Sequence, residues 1–478
     1  MKDLTEGSVT RHLLHMASFM AVSMLVQTLY LLADLYWVGH LGKEAIAAVG
    51  VAGTLMMIVL ALTQMLGVGT TTSISHAAGQ KDQKCAELVF NQSFVMSIVV
   101  MIALAGFGFL LKNIYCDRLS ADATTATLAK TYLNWFLPAL LLQFPLVTMG
   151  SALRATGIIK PTVGLQVLSV VLNIVLAPVF IFGTQPWPIF DAVRRILAIF
   201  VSIRPMGVAG AALATFIAIL IADVLLFLYF ERRYHYLRFR KRLMRPQTAT
   251  WGKMLLIGIP AGTEFILLFF YIVIVYGIIR NFGPAAQAGF GIGARVMQAL
   301  FLPVVALSFG VAPVIGQNFG GRRADRVRQT VYSAMGVASA IMLVLTLVSH
   351  FFPAFLIRRF SSDPNVIAFG ADYLQIVSLN FIAAGIVFTS SSIFQGIGNT
   401  WPPLISSTAR LLVFVVPSVL LSQMPGFQIK HVWYLSVASQ LIQACINLLL
   451  LRRELRRKLN FPEIEATGTL QLSQPGAV

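Results

Sequence analysis

Twelve long apolar stretches constrain this chain more than any other feature of its sequence. Each has about 20 residues or more, enough to cross the ~30 Å hydrocarbon core of a bilayer as a helix and too long for a barrel strand. The predicted spans are 13–39, 46–75, 87–111, 131–151, 161–182, 207–230, 252–279, 286–316, 330–352, 368–394, 402–422 and 431–451. Only 11% of the residues are charged, against ~25% in soluble proteins. We therefore predict an all-α integral membrane protein.

Lysine and arginine predict the orientation of these spans. The segment 231–253 holds eight of them, and such clusters stay on the cytoplasmic side. An even number of spans puts both termini on that side, which then carries 23 of the 36 Lys and Arg residues, against 11 on the other side. The net charge of +18 therefore indicates loops that face anionic membrane lipids rather than nucleic acid. We expect a multi-pass protein of the cell (inner or plasma) membrane.

The chain repeats itself with a constant shift of 241 residues. The matching landmarks include Gly42 and Gly283, Gly79 and Gly320, Tyr132 and Tyr373, Gly157 and Gly398, and Pro161 and Pro402. Six spans per half is an even number, so the halves are parallel repeats, an arrangement typical of secondary transporters with a central cleft. The predicted domains are a six-helix lobe at 1–230, a basic cytoplasmic linker at 231–251, a second six-helix lobe at 252–455 and a cytoplasmic tail at 456–478.

Several other chemistries find no support in the sequence. Cys85, Cys116 and Cys445 have no metal-ligand spacing, and the chain has neither a GxxxxGK[ST] phosphate loop nor an HExxH motif. The seven histidines lie at span ends, which argues against a membrane enzyme. The sequence also lacks a selectivity filter or charged ring of the kind that channels use. We therefore expect no enzyme activity, no cofactor, no metal site and no ATP-driven transport.

Seven short motifs follow one another along about residues 10–455. They are Asp34–Gly39 (DLYWVG), Gly79-Gln80, Leu153–Pro161 (LRATGIIKP), Leu172–Ile174 (LNI), Gly207–Thr215 (GVAGAALAT), Pro313–Gly321 (PVIGQNFGG) and Phe394–Gly398 (FQGIG). Their order and spacing resemble the prokaryotic multidrug and toxic compound extrusion (MATE) family. The resemblance implies two six-helix lobes that form a V and export cationic, amphipathic compounds in exchange for protons or sodium.

Asp34 is the strongest candidate for a functional residue. It lies deep in the first span, where an unpaired acid is costly. Gln27, Tyr30 and Asp34 are spaced i, i+3 and i+7, so they share one helical face. A carboxyl on that face can bind and release a proton near neutral pH, or attract sodium or a cationic substrate. We predict that Asp34 binds the coupling ion and that all three residues contact substrate; the alternative is a structural acid paired with a neighbouring helix.

The resemblance adds two polar residues to this first-lobe site. Asn173 and Thr215 match positions that the family uses for cation coupling in its fifth and sixth spans. Taken alone, each fits an interhelical hydrogen bond equally well. Many relatives carry an acid four residues after that Asn, where this chain has Ala177. Sodium prefers several oxygen ligands, so the missing carboxylate favours protons as the coupling ion.

Glu264 is a second intramembrane acid. It follows Pro260 by one turn, whereas some relatives carry an acid one turn deeper, where this chain has Leu268. We predict that Glu264 contacts substrate from the cleft; the alternative is a structural acid paired with Arg295. The shift of 241 places neither Asp34 nor Glu264 on another acid, so the two lobes are chemically unequal.

Two charged residues and two segments complete the sequence predictions. Asp223 and Arg410 fit either a cavity or the lipid interface. The loop 183–206 is longer than in the family, and its segment Asp191–Ile203 fits either an amphipathic surface helix or a disordered loop. The tail from Ala466 is predicted to be disordered.

These patterns favour a secondary antiporter that exports small organic cations in exchange for protons, with sodium as the alternative coupling ion. A lipid or glycolipid flippase is the rival function, and it would be favoured by a basic cleft without a deep acid. The two deep acids argue against it. We expect the transporter to be a monomer.

Overall fold

A computed structural model describes residues 1–183 and 204–460 of the chain. The predicted surface segment Asp191–Ile203 and the tail from Ala466 lie outside these residues. The described residues form helices and no strand, and twelve segments are long and apolar enough to cross a membrane. The predicted all-α membrane fold is confirmed.

The helices extend the predicted spans at one or both ends. The first half contains α1 (Val9–Gly39), α2 (Lys43–Gly79), α3 (Gln83–Leu119), α4 (Ala123–Ala155), α5 (Lys160–Phe182) and α6 (Val208–Arg232). The second half contains α7 (Thr248–Ile279), α8 (Pro284–Gly320), α9 (Ala324–Phe351), the short α10 (Pro353–Arg358), α11 (Pro364–Val377), α12 (Phe381–Ile397), α13 (Trp401–Ser422) and α14 (Ile429–Lys458). Asp82, Asp122 and Asp363 begin α3, α4 and α11 by accepting hydrogen bonds of 2.8–3.0 Å from first-turn N–H groups.

The tenth predicted span is a broken helix. A 3-10 turn at Ser378–Asn380 separates α11 from α12. The hydroxyl of Thr346 shares its proton between the carbonyl of Met342 on its own helix, at 2.8 Å, and the carbonyl of Ser378, at 3.2 Å. A side chain of the neighbouring helix α9 thus satisfies a backbone group at the break, as the membrane interior requires.

The two halves pack in the same way. In the first half α2 packs on α3 and α4, α4 packs on α6, and α5 packs on α1 and α6. In the second half α8 packs on α9, α11 and α12. Helices α11 and α12 also pack on α14, and α13 packs on α7 and α14. The halves meet where α1 lies on α8 and α2 lies on α7 and α8. This repeated pattern confirms two parallel six-helix lobes; the domain limits at 230, 251 and 455 stay predictions.

The lobes approach closely at the terminus end, which we define as the end of the helix bundle that carries residues 1–8 and 459–460. A Cβ atom on Gly79 of α2 would lie 2.0 Å from the carbonyl oxygen of Gln317 in α8. A Cβ on Gly320 of α8 would lie 2.2 Å from the carbonyl oxygen of His76 in α2. Both positions therefore require glycine. A shift of 241 residues relates Gly79 to Gly320 and His76 to Gln317, so the two contacts are equivalent. The crossing therefore has two-fold pseudosymmetry.

The connection between the lobes is held against α3. Asn91 and Gln92 are fully buried and hydrogen-bond five backbone groups of residues 238–247 at 2.6–2.9 Å. Glu87 forms an ion pair of 2.8 Å with Arg240. The basic segment is therefore fixed to the first lobe through its backbone, while most of its lysine and arginine side chains are exposed.

Candidate cation-binding site

Three helices of the first lobe bring Tyr30, Asn173 and Thr215 together. The Thr215 hydroxyl donates to the carbonyl of Ala211 on its own helix at 3.2 Å, as intramembrane threonines often do. Its oxygen accepts a hydrogen bond of 3.1 Å from Nδ2 of Asn173. The Tyr30 hydroxyl lies 3.0 Å from the same oxygen and donates to it. Thr215 thus joins α1, α5 and α6 at one point.

Asp34 lies one turn beyond Tyr30 on α1 and is only 6% exposed. Its Oδ1 atom and Oδ1 of Asn173 are buried and accept no hydrogen bond from any described residue. Asp34 also forms no ion pair within residues 1–183 and 204–460. The alternative of an acid paired with a neighbouring helix therefore has no partner in the described part of the chain. Two buried acceptor oxygens without donors are costly, and a proton or a cation would relieve that cost.

The structure changes the predicted membership of this site at two positions. Gln27 was predicted to belong and stays apart, whereas Tyr132 was not predicted and lies near Asp34. Gln27 shares the face of Asp34 but is exposed and makes no hydrogen bond with a described residue. Tyr132 of α4 is 1% exposed and lies near Asp34 and Tyr30. The only feature of the sequence that singled out Tyr132 was the repeat, in which it matches Tyr373.

Glu264 lies in a hydroxyl-rich cluster of the second lobe. Its carboxylate accepts hydrogen bonds of 2.9 Å from Ser391 and 3.2 Å from Ser407. Gln443 donates in turn to the Ser407 oxygen at 3.0 Å. Arg295 is exposed and pairs with no acid among the described residues. Glu264 is therefore held by neutral donors from α12 and α13, not by the arginine that the sequence offered as its structural partner.

The repeat explains part of this second cluster. Ser23 and Gln166 form a hydrogen bond between α1 and α5. A shift of 241 places Ser23 on Glu264 and Gln166 on Ser407, so the bond between α7 and α13 is the repeat of the first-lobe bond. The same shift could have identified Ser407 from the sequence. Ser391 and Gln443 left no such signal.

Asp223 is buried in the first lobe, and the partly buried Arg410 contacts an aromatic ring of the second lobe. Asp223 on α6 is 7% exposed, and neither of its carboxylate oxygens has a hydrogen-bond partner among the described residues. The guanidinium of Arg410 on α13 lies 4.7 Å from the ring centre of Tyr271 on α7. Its position favours a cation–π contact inside the second lobe.

Comparisons with known proteins agree with this architecture. The family model described as MatE matches residues 20–179 and 260–420. The probable multidrug resistance protein YpnP of Bacillus subtilis is 28% identical over 401 residues, 82% of this chain and 85% of its own. The multidrug export protein MepA of Staphylococcus haemolyticus is 25% identical over 91% of both chains. An FAD transporter of Shewanella oneidensis is 24% identical over 87% of this chain and 89% of its own.

Solved structures show the same fold. The bent form of the Vibrio cholerae MATE transporter VcmN superposes with a TM-score of 0.83 at 24% identity, covering 94% of this chain and 98% of that one. A MOP superfamily transporter from Pyrococcus furiosus superposes with a TM-score of 0.83 at 23% identity, covering 95% and 98%.

Proposed function

Because the chain belongs to the MatE family, whose members are membrane transporters and not enzymes, we propose that it is a secondary antiporter that exports organic cations in exchange for protons. The observation that carries this proposal is the buried, unpaired carboxyl of Asp34 beside the hydrogen-bonded cluster of Tyr30, Asn173 and Thr215. We assign ion coupling to Asp34, Asn173 and Thr215, and substrate contact to Gln27, Tyr30, Asp34 and Glu264.

The coupling follows from the cost of a bare charge in this setting. An ionised Asp34 without a partner is disfavoured, so the carboxylate is stable only when a proton or a cation accompanies it. A proton and an organic cation therefore compete for one group. Because each favours a different occupancy of the site, the inward flow of one drives the outward flow of the other.

Ala177 supports protons over sodium. It is fully buried on α5, one turn beyond Asn173. A carboxylate there would have added oxygen ligands beside the free Oδ1 of Asn173. One carboxylate suffices for a proton, whereas a sodium site needs several oxygens.

The Lys and Arg distribution supports a cytoplasmic location for the terminus end, in the cell (inner or plasma) membrane. The contacts between α2 and α8 would then close the cytoplasmic side, and substrate would leave from the opposite side. We propose that one chain, with one pair of lobes, is the working unit.

The names of the relatives suggest substrates of opposite charge. Two are named for multidrug resistance or export, and one for transport of FAD, an anionic dinucleotide. Asp34 and Glu264 favour cations, since an anion would meet two carboxylates. The same two acids argue against the rival function, a lipid or glycolipid flippase.

Transport into proteoliposomes tests the proposal. A fluorescent organic cation such as ethidium is the probe, and pH and sodium gradients are imposed separately. We expect uptake against a concentration gradient with the pH gradient alone and none with sodium alone at equal pH. Sodium-driven ethidium transport would overturn proton coupling. If the protein transports FAD, and neither the pH gradient nor the sodium gradient drives ethidium uptake, the assignment of cationic substrates is overturned.

A further inference from the structure

The last two turns of α14 present four arginines on one face. Arg452, Arg453, Arg456 and Arg457 recur at helical spacing and are all exposed. Together with Leu449, one turn earlier, they line a shallow groove of about 540 Å³ at the terminus end.

This arginine face continues an exposed apolar stripe of the same helix. Tyr434, Ile442 and Leu449 are spaced eight and seven residues apart and are 56%, 42% and 68% exposed. In a membrane protein such side chains contact lipid tails. The stripe passes directly from tail-contacting residues to cations, which is the order of groups along a phospholipid molecule.

The protein compensates the charge of this face only in part. None of the four arginines forms an ion pair within the described part of the chain. Glu454 lies one turn before Arg457 and interacts with it electrostatically, but its carboxylate binds Asn399 at 2.8 Å and Lys458 at 3.1 Å. The helix dipole favours cations in the last turn, but Arg452 and Arg453 lie before that turn. Cations so closely spaced repel one another and leave the face suited to an anion.

We propose that this face binds the head group of an anionic phospholipid. Guanidinium groups match phosphate oxygens in a bidentate geometry, so neighbouring arginines can enclose one phosphate. The acyl chains of the same lipid then cover Leu449 and Ile442. The site is independent of the transported substrate and of the coupling ion.

Native mass spectrometry of the purified full-length protein tests this proposal with phosphatidylglycerol and phosphatidylcholine as probes. The test variant replaces Arg452, Arg453, Arg456 and Arg457 by Gln. The matched control replaces Arg238, Lys241, Arg242 and Arg245 of the connecting segment by Gln, which removes the same charge from exposed side chains at the same end. Each arginine near a membrane surface contributes about 1 kcal/mol, so we expect the test variant, which lacks four, to bind phosphatidylglycerol on the order of a thousandfold more weakly.

The control variant should bind phosphatidylglycerol within about fivefold of the wild type, because its four side chains do not line the groove on α14 and act on a lipid there only through screened long-range attraction. Equal losses in both variants, or no loss in the α14 variant, would overturn the proposal. So would wild-type binding of phosphatidylcholine as tight as that of phosphatidylglycerol, or complete competition by equimolar inorganic phosphate. If the fourfold variant cannot be purified, the double variant Arg452→Gln, Arg456→Gln should show about a thirtyfold loss of affinity. Wild-type affinity in that double variant would count equally against the site.

Discussion

The imidazole Nε2 of His76 in α2 donates a hydrogen bond of 2.7 Å to the carbonyl oxygen of Gly396, across the boundary between the lobes. The repeat contains the same contact, because Nε2 of Gln317 donates to the carbonyl oxygen of Ala155 at 2.8 Å. All four residues are related by the shift of 241. Histidine and glutamine thus act as equivalent N–H donors, and together they latch the lobes at the terminus end.

This equivalence predicts the outcome of two substitutions of His76. His76→Gln should keep the latch, because glutamine makes the repeat-related bond. His76→Ala removes a net ~1 kcal/mol, which shifts the balance of lobe states about fivefold away from closure at this end. Distances between spin labels on the two lobes report that balance. A closed population in His76→Ala equal to that of the wild type would contradict the latch.

The crossing of α2 and α8 should not tolerate a methyl group. Gly79→Ala places Cβ 2.0 Å from a backbone oxygen, and overpacking of this kind typically costs 1–3 kcal/mol. We expect a lower Tm or an opened terminus end. Gly53→Ala on the same helix is the control, since no atom lies within 4 Å of its added Cβ, and alanine favours helix by about 1 kcal/mol. Equal stability and closure in the two variants would show that the helices do not cross this closely.

The hydroxyl of Thr215 should be required for coupling. Thr215→Val keeps the shape of the side chain but leaves Tyr30 and Asn173 without their shared acceptor. At about 1 kcal/mol for each bond, we expect proton-driven efflux to fall between fivefold and thirtyfold in proteoliposomes. Thr215→Ser retains the hydroxyl and should stay within about twofold of the wild type. Equal rates of proton-driven efflux in Thr215→Val and Thr215→Ser would contradict a role of the hydroxyl in coupling.

Glu264→Gln should show whether the negative charge of Glu264 serves to bind organic cations or to stabilise the fold. The carboxylate is held by two serine hydroxyls, which can reverse their hydrogen bonds to suit an amide. We therefore expect a stability change within about 1 kcal/mol and an affinity for organic cations at least fivefold weaker, since a charge attraction of ~1 kcal/mol or more is lost. Melting temperature and cation affinity are measured on the same preparation. A large stability loss with unchanged affinity would make Glu264 structural.

Much of the fold could be predicted from the sequence because bilayer thickness sets the length of every apolar stretch. The repeat then predicted two parallel lobes, and helices in contact in the first lobe have counterparts in contact in the second. The break at Ser378–Asn380 could not be predicted, because it depends on a carbonyl satisfied by Thr346 of another helix. The backbone hydrogen bonds of Asn91 and Gln92 to the connecting segment likewise depend on tertiary contacts.

The sequence indicated the neighbours of the first-lobe cluster better than the neighbours of Glu264. Asn173 and Thr215 lie in recognisable motifs, and the structure joins them to Tyr30. Around Glu264, the sequence offered Arg295 as a partner because opposite charges attract. It could not show that serines of α12 and α13 would meet the carboxylate first.

The most direct test of the central claim is the number of protons released when an organic cation binds to purified protein in weakly buffered solution. A pH-indicator dye reports the release near neutral pH. The account predicts that the wild type releases protons on binding. Asp34→Asn should elute normally and release none, even at cation concentrations that saturate it. Proton release by Asp34→Asn equal to that of the wild type would contradict the assignment of Asp34 as the group for which protons and substrate compete.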